Sequence, residues 1–131
     1  VDANVVLRYL LKDDPEQFSR AKEFFEKIRE GRERAILSEG VLGECLYVLT
    51  KHYRVAPGEA ALALAGLLHY KGIVNPDKDV LAEGLKSFTA EGLDPVDCFL
   101  LARARVKKLR IFSFDKKLNK TAAKKGKKPS T

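Results

Sequence analysis

The sequence predicts an α/β protein, one domain built on a central, mainly parallel sheet with helices on its faces. Three observations predict it. Helical and strand-like segments alternate along the chain, the connections are short, and "RIFSF" near the carboxyl end is an apolar run of the kind a sheet buries on both sides. At 131 residues with 45% apolar content the chain is long enough for one hydrophobic core.

The elements follow in order. After Asp2, "NVVLRYLLK" carries Val5, Val6, Tyr9 and Leu10 in helical spacing until "DDP" breaks it. "PEQFSRAKEFFEKIREG" predicts a second helix, with Pro15 in its first turn, Phe18, Ala21, Phe25 and Ile28 on one face, and Gly31 past its end. "RAILS" is a short strand. From Ser38 as N-cap, "EGVLGECLYVLTKHY" is a third helix and "PGEAALALAGLLHYKG" a fourth. "IVNP" is a strand closed by Pro76. Two more helices, "DKDVLAEGLKSFTAEG" and "VDCFLLARARVKK", precede the strand "RIFSF" and a polar, lysine-rich helix.

Composition excludes several classes. No apolar run approaches the roughly 20 residues of a membrane-spanning helix, and no secretory signal is visible at the amino end. The start at Val1 suggests that residues precede it. Cys45 and Cys98 lie in apolar helical patterns, which fits a reducing cytoplasm better than a disulfide framework. A zinc site from Cys45, His52, His69 and Cys98 lacks ligand-pair spacing, and both histidines suit packing or surface roles better than base catalysis. Neither a G-x-S-x-G elbow nor a phosphate-cradling P-loop is present. The first acid lacks the second aspartate, two residues on, that a haloacid-dehalogenase-like phosphatase wants; Asn4 stands there. Two glycosidase carboxylates are allowed by residue type and unsupported by the fold.

The net charge of +7 is uneven. Residues 116–131 hold seven lysines and no acids, so 25 basic residues less seven leaves 18 against 18 acids before Lys116. A basic end of this kind reads as a solvated terminus or as a phosphate contact, through Lys116, Lys117, Lys120, Lys124, Lys125, Lys127 and Lys128. The expected division is a folded domain over 1–120 and a mobile tail over 121–131.

Four acids stand where chemistry is expected. In an open parallel sheet ligands bind beyond the carboxyl ends of the strands, and Asp2 and Asp115 both follow strand-like residues there. Each can equally cap the helix after it. Glu44 lies at the edge of the apolar stripe of its helix, where it can also reach water or pair with a lysine. Asp97 is the third residue after the N-cap Asp94, on a face continued by Leu100, Leu101 and Ala104. Crowded carboxylates repel one another unless a cation offsets the charge, and oxygen-only ligation suits magnesium or manganese. Such a cation supports phosphodiester hydrolysis.

"VDANVVLRYLL", "SEGVLGECLYVL", "DPVDCFLLARA" and "FSFDKKL", in that order, resemble the PIN-domain nucleases, especially the VapC-type toxins of toxin–antitoxin pairs. The resemblance covers Asp2 to about Lys120. It implies a single PIN-like domain and an Mg2+- or Mn2+-dependent endoribonuclease, with Asp2, Glu44, Asp97 and Asp115 as catalytic metal ligands. By the same resemblance Asn4 and Ser113 orient carboxylates or water, the protein is a homodimer, its substrate is RNA, and an antitoxin covers the acidic cleft. Two departures stand out: Ala3 replaces a hydroxyl residue frequent in the family, and "KKGKKPST" occupies the place of a last apolar strand. The alternative function is a catalytically silent nucleic-acid-binding module that works through the basic tail, which leaves the four acids without a purpose.

Overall fold

The structure, a computed structural model, describes the backbone of residues 1–126 and the side chains of residues 1–123. Among the described residues there are seven α-helices: α1 (Ala3–Leu11), α2 (Pro15–Arg29), α3 (Glu39–Tyr47), α4 (Pro57–Leu68), α5 (Lys78–Glu91), α6 (Pro95–Lys107) and α7 (Lys116–Gly126). α3 continues into a π-helical turn over Val48–His52. Helices stand within a few residues of each position the apolar spacing gives. The chain divides into two compact units, Val1–Lys78 and Asp79–Thr131.

In the first unit local chemistry sets the helix ends. Asp2, Asp14 and Ser38 each accept the backbone N–H three residues on, from Val5, Gln17 and Val41, and so satisfy a donor the helix itself leaves free. Pro15 stands at the start of α2, and Gly31 beyond its end takes φ +81°, a conformation glycine adopts without the steric cost of a Cβ. α1 packs on α2 and on α3. Val6, Phe25, Ile28, Leu42, Leu46, Leu64 and Leu68 are fully buried. Tyr9 stacks on Phe25 with ring centroids 4.4 Å apart, and its hydroxyl meets that of Tyr70 at 3.0 Å.

The expected central sheet is where fold and expectation part. "RAILS" and "IVNP" do meet in parallel, but through one bridge, Ala35 to Ile73, so neither is a strand of regular length. Ala35 N–H donates to Gly72 O at 2.9 Å and Val74 N–H to Ala35 O at 3.0 Å. Beyond the bridge the Asn75 side chain takes over from the backbone. Its Oδ1 accepts Leu37 N–H at 3.0 Å, and its Nδ2 donates to Leu37 O at 2.7 Å. Gly72 is needed at this crossing, because a Cβ there would lie 2.0 Å from Glu33 O.

"RIFSF", expected as a buried central strand, forms no strand among the described residues. In the second unit α6 packs on α7, around Leu93, Cys98, Leu101 and Leu118. Ile111 packs against that cluster, whereas Phe112 and Phe114 are 87% and 91% exposed. An apolar run becomes a central strand only when neighbouring strands satisfy its N–H and C=O groups and layers cover both faces. Here only the Ile111 side is covered. The helix after this run extends through Gly126, so residues 121–126 of the expected tail are helical.

Candidate active site

Asp2 and Glu44 belong to the first unit. Asp2 precedes α1, and its Oδ1 accepts Val5 N–H at 3.0 Å. The capping role expected as an alternative is therefore real, and it uses one carboxylate oxygen, leaving the other free for a ligand. Glu44 is exposed on α3, and its side chain makes no hydrogen bond to the described residues. Between them lies the buried Cys45, whose Sγ faces Ala3 O at 3.9 Å. Burial first, then the charges of Glu44 and Asp2, push its thiol up to about 12. Both acids thus stand close enough to act on one sulfur, which the packing of α1 on α3 explains.

Asn4 is exposed one turn from Arg8, and both line an open depression of about 490 Å3 together with Asp2 and Arg20. Arg8 ion-pairs with Asp13 at 3.3 Å. The two arginines escaped the sequence reading. The signal for Arg8 was there, because residues four apart share a helix face.

Asp97 and Asp115 belong to the second unit. Asp97, half-buried in the first turn of α6, has its carboxyl raised above the ordinary aspartate value, first by burial and then by the charges of Asp115 and Asp94. Asp115 repeats the arrangement of Asp2: its Oδ1 accepts Leu118 N–H at 2.9 Å at the start of α7, and its second oxygen is uncommitted. Ser113 Oγ accepts the backbone N–H of Asp115 at 3.0 Å, and Asn119 Nδ2 donates to Ser113 O at 2.7 Å, so the turn that presents Asp115 is held from both sides. Asp94 occupies the N-cap position of α6, yet its side chain makes no capping hydrogen bond. It is the second acid, after Asp115, acting on Asp97.

The acids therefore act in two places, Asp2 and Glu44 on Cys45 and Asp115 on Asp97. Among the described residues no group of three or more His, Cys, Asp or Glu side chains is poised to hold a metal. His52 and His69 are exposed, and His69 Nδ1 lies 2.7 Å from Ala65 O, so neither is placed as a base. Cys45 and Cys98 are free and buried. Lys116, Lys117 and Lys120 are exposed on α7, with Lys117 Nζ donating to Gly92 O at 3.0 Å. The side chains of Lys124 and Lys125, and all of Lys127 and Lys128, lie outside the described residues.

The PIN domain family model matches residues 1–124. The chain belongs to the PIN-domain family. That match spans both compact units and all four acids, so the two acid pairs fall within one family domain. PIN domains have an α/β fold and are generally metal-dependent nucleases. No curated protein and no solved structure matches the chain. Among the described residues of this PIN domain, no helix is long and apolar enough to cross a membrane.

The donor chemistry suits a hard cation. All four acids offer oxygen, Asp2 and Asp115 each keep one oxygen outside their capping bond, and Asp97 is held near like charge that a cation would offset.

Proposed function

We propose that this PIN domain is a Mg2+- or Mn2+-dependent endoribonuclease with Asp2, Glu44, Asp97 and Asp115 as its catalytic metal ligands. The observation that carries the reading is the state of Asp97. Its carboxyl is desolvated beside Asp115 and Asp94, an arrangement that costs stability in the free protein and is relieved by a divalent cation. Asp97 and Asp115 are the ligands of the second unit, Asp2 and Glu44 those of the first. A cation held there supplies Lewis-acid stabilisation of a phosphoryl oxygen and eases ionisation of water.

The chain's own groups do the positioning. Backbone capping by Asp2 and Asp115 fixes each carboxylate while sparing one oxygen. Ser113 and Asn119 hold the turn before α7, and Asn4 stands at the first acid to orient carboxylate or water. Exposed Lys116, Lys117 and Lys120 offer charge to the phosphate backbone beside Asp115, and Lys124, Lys125, Lys127 and Lys128 continue the basic run.

RNA as substrate, a cytoplasmic location and a homodimeric toxin controlled by an antitoxin complete the proposal. The ordered motifs "VDANVVLRYLL", "SEGVLGECLYVL", "DPVDCFLLARA" and "FSFDKKL" support them through their likeness to VapC-type toxins. The test is cleavage of RNA in magnesium or manganese, with the product ends identified. We expect 5′-phosphate and 3′-hydroxyl ends and loss of cleavage in chelator. Cleavage that persists in chelator, or that leaves 2′,3′-cyclic phosphate ends, refutes the reading.

A further inference from the structure

We propose that Arg105 is a positioning residue for Asp97, acting through Glu91 on the turn that joins α5 to α6; the inference rests on the nuclease reading and deepens it by naming what holds that acid in place. Arg105 stands near the end of α6 and reaches across to the last turn of α5. Its Nη2 lies 3.7 Å from Glu91 Oε2, and its Nη1 donates to Ser87 Oγ at 3.4 Å. Ser87 and Glu91 are four residues apart on α5, so one face of that helix presents both to a single guanidinium.

The pair is withdrawn from water. The side chains of Arg105 and Glu91 are 21% and 13% exposed, Ser87 is buried, and Nε and Nη2 of Arg105 are buried without a hydrogen-bond partner among the described residues. Taking two charges out of water is costly, and apolar side chains of similar volume would fill the same space as well or better. Packing alone therefore does not account for an ion pair here. A planar fork adds direction, because it fixes where its partner stands.

What the pair fixes is the turn. Glu91 is the last residue of α5, Gly92 takes φ +67° and Asp94 opens α6. Gly92 O accepts Lys117 Nζ at 3.0 Å, Cys98 Sγ lies 3.5 Å from Leu93 O, and Asp94 O accepts Cys98 N–H at 2.9 Å. The Asp94 side chain makes no capping bond, so these contacts replace the usual cap in setting where α6 starts and where Asp97, in its first turn, stands. Lys117 is two residues beyond Asp115, so its bond ties the same turn to the helix that carries that acid. Arg105 holds the α5 side of the turn and Lys117 the α7 side.

Arg105→Met alone strands Glu91 as a half-buried charge and is expected to destabilise the fold. The test therefore uses Arg105→Met/Glu91→Gln, which removes both charges at similar volume, beside Arg105→Lys. In chelator the double variant is expected to melt close to the wild type, while amide exchange at Cys98 quickens because Asp94 O is no longer fixed. Residues that orient metal ligands from behind are worth about 10–100-fold in metal affinity or activity. Mn2+ binding, read by electron paramagnetic resonance, and kcat for RNA cleavage are each expected to fall in that range, with KM unchanged and Arg105→Lys recovering part of the loss. Mn2+ affinity and kcat unmoved in the double variant overturn the positioning role, and RNA cleavage by the wild type then leaves the nuclease standing. Melting temperature lost in step with activity makes the pair a stabilising contact and equally overturns the role. Mn2+ affinity lost in the double variant, with a wild type that binds Mn2+ and cuts no RNA, supports the role and overturns the nuclease. A wild type that binds no Mn2+ overturns both.

Discussion

Asn75 holds Leu37 by both of its backbone polar groups, accepting the N–H and donating to the C=O across a gap of 38 residues. A side-chain amide here does the work of the next residue of a parallel strand. Leu37 directly precedes Ser38, the cap of α3, so the same two bonds fix where α3 starts and hence where Glu44 stands.

Replacing Asn75 by alanine leaves a buried N–H and a buried C=O of Leu37 unpaired. Each such loss costs on the order of 1–3 kcal/mol. We expect a lower urea midpoint with an unchanged slope, read from equilibrium unfolding. Asn75→Asp should be only a partial remedy, because a carboxylate accepts from Leu37 N–H and has nothing to donate to its carbonyl.

Gly84 faces Phe99, and a Cβ at position 84 would come within 2.3 Å of the ring of that fully buried side chain. Gly84→Ala should therefore destabilise the second unit by about 1–3 kcal/mol, in spite of alanine's better helix propensity. Thermal unfolding of the variant checks this. A midpoint at or above the wild type means that the ring moves aside at no cost.

Tyr9 is raised above the ordinary phenol value of 10.0, first by burial and then by its hydrogen bond with Tyr70. A raised folded pKa means that the folded state holds the proton more tightly than the unfolded chain. The stabilisation is full below about pH 10 and is lost as the pH climbs from there toward the folded value. Alkaline titration followed at 295 nm should show one phenol ionising late. Tyr9→Phe should remove that late step and flatten the fall in stability above pH 10.

Asp97→Asn removes a carboxylate that the fold places against Asp115 and Asp94. Cleavage should fall to background while circular dichroism stays native. In chelator at neutral pH the variant should melt no lower than the wild type, because an amide escapes the repulsion. Undiminished RNA cleavage in magnesium or manganese rules Asp97 out as a ligand.

Helices were legible in the sequence because their signals are local. Pro15 and Gly31 bracket α2, and Ser38 caps α3, as side-chain chemistry and apolar spacing require. Strands were not, because pairing is decided by residues far along the chain. "RIFSF" has the composition of a buried strand, but composition does not supply neighbours, and Phe112 and Phe114 face solvent. Asn75 was invisible for a related reason, since nothing near "IVNP" says that its amide will pair with Leu37. Among the site residues, the caps Asp2 and Asp115 were legible from position alone. That Asp2 and Glu44 both act on Cys45, and Asp115 on Asp97, needed tertiary packing to appear.

Manganese binding followed by electron paramagnetic resonance tests the central claim most directly, because it reads the ion itself. If Asp2 and Asp97 are both metal ligands, Asp2→Asn and Asp97→Asn should each abolish tight Mn2+ binding. Mn2+ binding at wild-type affinity in either variant contradicts the assignment of that residue as a ligand.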